Sequence, residues 1–146
     1  MKDLLPTSSF TTLLNAPCSS LILTQLSPPI PTIYLIAGKV AGEVIFFEVF
    51  PADRLHCVSR FDSDVKAPIT ALAAGDLRNT GREELVVIQS NGLLQSLTYP
   101  GRANSSAPTL LFSQQLYSNI CSAEVRDIDG DGQSEMVVVM TDRVGE

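Results

Sequence analysis

Two stretches of this chain align without a gap at an offset of 51 residues. Asp76-Leu77-Arg78-Asn79-Thr80-Gly81-Arg82-Glu83-Glu84-Leu85-Val86-Val87-Ile88 falls on Asp127-Ile128-Asp129-Gly130-Asp131-Gly132-Gln133-Ser134-Glu135-Met136-Val137-Val138-Val139. Each reads as strand, acidic glycine turn, strand, and upstream Ile69 falls on Ile120. A weaker third copy lies N-terminal at an offset of 52, with residues 32–37 on 84–89. A recurring unit of about 50 residues cannot bury its apolar faces alone and has to stack on its neighbours.

The apolar residues come in runs of about five to seven, rich in Val, Ile, Leu and Thr and bounded by Gly, Pro, Asn and Asp, which is the rhythm of short strands. No long helical stripe interrupts it, so the fold class is all-β. Strands are expected at 19–23, 33–37, 43–49 and 55–61, then at 69–75, 85–89, 93–98 and 109–116, with two more around the second acidic turn. Asn91-Gly92 is expected to form a two-residue primed hairpin turn, since both residues tolerate positive φ. Four antiparallel strands at this period describe a propeller blade. The expected architecture is an incomplete β-propeller: a divergent first blade over 1–64, a second over 65–117 and the first half of a third over 118–146. Because a propeller needs at least about four blades, the chain is expected to be an N-terminal fragment or short isoform, completed by further blades or another chain.

Composition narrows the function. Ten Lys and Arg stand against sixteen Asp and Glu, a net charge of −6, and the basic residues are scattered singly. Nucleic acid is excluded as a partner, because nothing here would release counterions from a phosphate backbone. The cysteines, Cys18, Cys57 and Cys121, lie far apart with a single histidine, His56, in the chain. No structural zinc site can be assembled from them. An odd count fits reduced thiols in a cytosolic protein, with one bridge plus one free thiol as the alternative. Asp3, Pro6, Asn15 and Pro17 break up the N-terminal apolar stretch before it reaches signal-peptide length, and no run approaches a membrane span. The sequon at Asn104 reads as a polar loop.

The chemistry-bearing motif is the turn from Asp127 to Glu135. Asp127, Asp129 and Asp131 occupy positions 1, 3 and 5, Gly132 permits the sharp bend, Gln133 offers its backbone carbonyl and Glu135 closes the shell. Hard oxygen donors in that pattern suit one structural Ca²⁺. Four carboxylates so close repel one another, and a divalent cation would relieve them. An EF-hand is excluded: its twelfth position would be Val138, and Met136-Val137-Val138-Val139-Met140 is a strand-forming run where a helix is needed. The preceding turn keeps Asp76, Gly81 and Glu84 but places Arg78 and Thr80 at positions 3 and 5. A guanidinium cannot ligate a metal. Arg78 either takes the cation's place by pairing with Asp76 and Glu84 or points to solvent. In the first repeat Thr24, Leu26, Pro28 and Thr32 stand at the ligand positions, so that turn is lost.

No enzyme is read. His56 and Cys57 are adjacent on an expected strand, where neighbours face opposite ways and cannot be oriented as a nucleophile pair. Phosphate-binding glycine loops and a Gly-x-Ser-x-Gly elbow are absent.

The loop Asp127-Ile128-Asp129-Gly130-Asp131-Gly132 with Glu135 and Val137-Val138, followed by Thr141-Asp142-Arg143-Val144, resembles the FG-GAP repeat of integrin α-type propellers. Gly75-Asp76, Leu85-Val86-Val87 and Asn91-Gly92 agree more loosely, and residues 1–64 only in pattern. The resemblance is strongest to an intracellular branch of that family. It implies a seven-bladed, non-enzymatic scaffold of the KICSTOR assembly, partnered with kaptin and larger subunits. Such a scaffold acts in nutrient-dependent negative regulation of TOR signalling, cytoplasmic and brought to the lysosomal surface by its partners. The rival expectation is an extracellular, Ca²⁺-dependent adhesion module of integrin α type, which requires a signal peptide and glycosylation at Asn104.

Overall fold

The computed structural model describes residues 18–26, 32–50, 54–98 and 107–141. The N-terminal apolar stretch before Cys18, Pro28 of the first repeat, the Asn104 sequon and Asp142-Arg143-Val144 lie outside the described residues. Among the described residues, all regular structure is strand: β1 (Cys18–Leu26), β2 (Thr32–Lys39), β3 (Glu43–Phe50), β4 (Arg54–Asp62), β5 (Ile69–Gly75), β6 (Glu84–Gln89), β7 (Leu93–Leu97), β8 (Leu110–Gln115), β9 (Ile120–Arg126) and β10 (Glu135–Met140). They form two four-stranded sheets, β1-β2-β3-β4 and β5-β6-β7-β8, and a hairpin, β9-β10. Every pairing is antiparallel.

The middle sheet explains why its strands read as continuous apolar runs. Successive residues of a strand face opposite ways, and all of β6 is buried. Leu85 and Val87 join Tyr34, Ile36, Val44 and Phe46 of the first sheet in one core. Val86 and Ile88 join Ile120 and Val125 of β9 in another, with Met136 and Val138 of β10 packed against it. The middle sheet is thus sandwiched between the first sheet and the hairpin. Each fully buried Leu, Ile or Phe contributes roughly 1.5–3 kcal/mol. Ala37, Ile45 and Phe47 form a third cluster on the other side of the first sheet. The hairpin, by contrast, is half covered, with Val137 39% and Val139 54% exposed.

Strand β5 touches both β1 and β9, so the first strands of the three sheets lie side by side. Two glycines permit close packing around β5, Gly38 of β2 on one side and Gly75 of β5 itself on the other. A Cβ on Gly38 would fall 2.5 Å from Ile69 Cγ2, and one on Gly75 would fall 2.7 Å from Val125 Cγ1 and 3.1 Å from the Val125 carbonyl oxygen. Gly75→Ala is therefore expected to lower stability by about 1–3 kcal/mol through overpacking between β5 and β9. Denaturant unfolding reads this directly, and an unchanged midpoint would show that β9 does not dock there.

One turn differs from the sequence expectation. Gly92 N–H donates to Gln89 O, so Ser90 and Asn91 form the centre of the turn and Gly92 follows at φ +86. Asn91 is not at positive φ; its Oδ1 instead accepts the Leu93 N–H. The hairpin has a three-residue turn closed by a left-handed glycine, the alternative that an Asn-Gly pair also serves. Gly92 is further required because a Cβ there would meet the Leu116 carbonyl oxygen at 2.5 Å.

Candidate metal centre

The two acidic turns join β5 to β6 and β9 to β10, the same place in successive repeats. In both, the leading aspartate organises the bend. Asp127 accepts the Gly130 and Gly132 amides at 2.7 and 2.8 Å. Asp76 accepts the Thr80 and Gly81 amides at 2.8 and 2.6 Å. Gly81 and Gly132 are equivalent in the repeat, and both stand at positive φ, +83 and +89. The Thr80 amide above all holds the Asp76 carboxyl below its ordinary range, with the Gly81 amide adding to the effect.

In the second turn Asp127, Asp129 and Glu135 each offer a carboxylate oxygen, and these atoms lie within 4.8 Å of one another. Ca²⁺–oxygen distances are about 2.3–2.6 Å, so two oxygens on opposite sides of one ion stand about 5 Å apart. The span and the all-oxygen donor set fit a hard divalent cation. Asp131 is not in that group; its Oδ1 accepts the Gln133 amide at 2.9 Å, and the Gln133 side chain is exposed. Glu135 also accepts the Ile128 amide at 3.0 Å, tying the two limbs of the turn together.

The first turn supplies an internal comparison. Arg78 and Glu84 are the repeat equivalents of Asp129 and Glu135, and the Arg78 Nε donates to Glu84 Oε2 at 2.7 Å. A positive charge carried by the chain thus sits on the closing glutamate in the turn that has lost its ligands. Where the second turn gathers like charges, the first pairs opposite ones. Among the described residues Arg78 pairs with Glu84 and not with Asp76, whose two oxygens accept the backbone amides of the turn. The guanidinium lies 5.9 Å from the Phe112 ring centre, and Ser96 Oγ donates to the other Glu84 oxygen. Glu84 is buried and Arg78 is partly exposed.

Sequence reasoning missed Asn79. Its side-chain Oδ1 accepts the Ser134 amide at 2.7 Å and its Nδ2 donates to the Ser134 carbonyl at 3.3 Å, bridging the two turns. The only local hint is that Asn79 sits in the left-handed region, φ +55, where Asn is tolerated. His56 and Cys57 are both exposed on β4, and the His56 ring meets Phe50 edge-on at 6.2 Å. None of the three cysteines is in a disulfide. No helix among the described residues is long and apolar enough to cross a membrane.

Residues 57–146, which hold most of β4 and all of β5 to β10 with both acidic turns, match the family model described as Integrin-alpha FG-GAP repeat-containing protein 2. No curated protein matches the chain.

Proposed function

The chain belongs to the integrin-alpha FG-GAP repeat-containing protein 2 family, and from that premise we propose that its sheets are successive blades of a β-propeller serving as a non-enzymatic protein-interaction scaffold. The observation that carries this reading is the placement of β5 between β1 and β9. Blades around a central axis bring the first strand of each sheet beside the first strand of the next, while their faces stack. The buried faces of the middle sheet fit that arrangement.

In the same reading Ca²⁺ binds in the turn between β9 and β10, held by Asp127, Asp129 and Glu135. The ion supplies positive charge where three carboxylates converge, and its role is structural. The chain's own residues do the rest: Asp127 shapes the turn and Glu135 joins its limbs.

Family membership supports the finer assignment. The scaffold works in the cytoplasm as a KICSTOR subunit beside kaptin, reaches the lysosomal surface through its partners and restrains TOR signalling when nutrients are scarce. The test is size-exclusion chromatography of the chain with purified kaptin. Co-elution as a defined complex is expected at micromolar concentrations; separate elution of the two folded proteins would contradict the assignment.

A further inference from the structure

Asn79 belongs to the β5–β6 turn, yet both its polar atoms are spent on Ser134, 55 residues away in the β9–β10 turn. The side-chain amide pairs with both backbone groups of that residue, much as a neighbouring strand would. Ser134 immediately precedes Glu135, one of the three residues whose carboxylate oxygens converge. The repeat equivalent of Asn79 in the β9–β10 turn is Gly130, which has no side chain to pass the same clamp onward. Among the described residues the bridge joins this pair of turns.

We infer that Asn79 is a positioning residue for the cation site of the following repeat, so that ion binding between β9 and β10 and docking of that hairpin on the middle sheet reinforce each other. The inference rests on the Ca²⁺ reading above. Three carboxylates converge only if the closing limb of the turn is held in place, and free carboxylates push that limb away. Asn79 holds it at Ser134 by two hydrogen bonds anchored in a turn that needs no ion, because Arg78 already neutralises Glu84 there. A site held in its binding geometry beforehand spends less of its binding energy on ordering itself. Linkage makes the effect reciprocal: an ion that fixes Glu135 also fixes Ser134 against Asn79.

The test compares Ca²⁺ affinity of the whole chain and its Asn79→Gly variant by calorimetry, well below the unfolding temperature. Glycine keeps the left-handed backbone at position 79 and removes only the clamp. The expected result is Ca²⁺ binding about tenfold weaker, the order of loss seen when a partner supporting a metal ligand is removed. A variant that binds within twofold of the wild type overturns the inference and leaves the Ca²⁺ reading intact; a wild type that binds no Ca²⁺ overturns both. Amide exchange on the wild type decides the matter if the variant fails to fold. Slower exchange at Thr80 and Gly81 on adding Ca²⁺ supports the coupling, and protection confined to residues 127–135 refutes it.

Discussion

Replacing Arg78 by alanine is expected to destabilise the fold by about 2 kcal/mol, and adding Glu84→Gln is expected to restore most of that loss. The Glu84 side chain is 1% exposed, with one carboxylate oxygen on Arg78 and the other on Ser96. Removing one partner of a buried pair leaves a desolvated charge, and losses of about 3–5 kcal/mol are usual when both partners are buried. Arg78 is 44% exposed, so water reaches the gap and the smaller figure applies. The double variant has no charge to strand, and its glutamine still accepts from Ser96. Denaturant midpoints of the three proteins check this. An Arg78→Ala variant as stable as the wild type would mean that the guanidinium is not a substitute for a cation.

The second large effect comes from Ca²⁺ itself. At a free concentration about a hundredfold above its dissociation constant, an ion bound only by the folded state adds about 2.7 kcal/mol. In a chain of this length that corresponds to a rise of roughly 6–12 °C in the unfolding midpoint. Asp129→Asn is the informative variant, because an asparagine keeps the oxygen that accepts the Asp131 amide while the ligand charge is lost. Its midpoint is expected to rise much less than that of the wild type at the same Ca²⁺ concentration. An equal rise in both proteins would place the ion elsewhere.

What could be read from the residues, and what could not, follows from the range of each interaction. Strand positions were legible because a strand buried on both faces is written as an unbroken apolar run, as in Leu85-Val86-Val87-Ile88; the observed ends differ from expectation by at most three residues. The convergence of Asp127, Asp129 and Glu135 was legible because it is local to one turn. Asp131 shares their spacing, but its carboxylate is not among the converging oxygens and accepts the Gln133 amide. Arg78 finds Glu84 and not Asp76, whose oxygens accept the Thr80 and Gly81 amides. The partners that depend on pairing and stacking lay outside any local pattern. Ser96 reaches Glu84 only because β7 pairs with β6, and Asn79 reaches Ser134 only because the hairpin stacks on the middle sheet.

The central claim is that one of two equivalent turns holds a cation and the other carries its own. Calorimetric titration of Ca²⁺ into the metal-stripped chain measures this directly through stoichiometry. One ion per chain, bound at least about tenfold more weakly in Asp129→Asn, is the predicted result. No binding by the folded wild type, binding undiminished in the variant, or two ions per chain with the Arg78 turn also occupied, would contradict it.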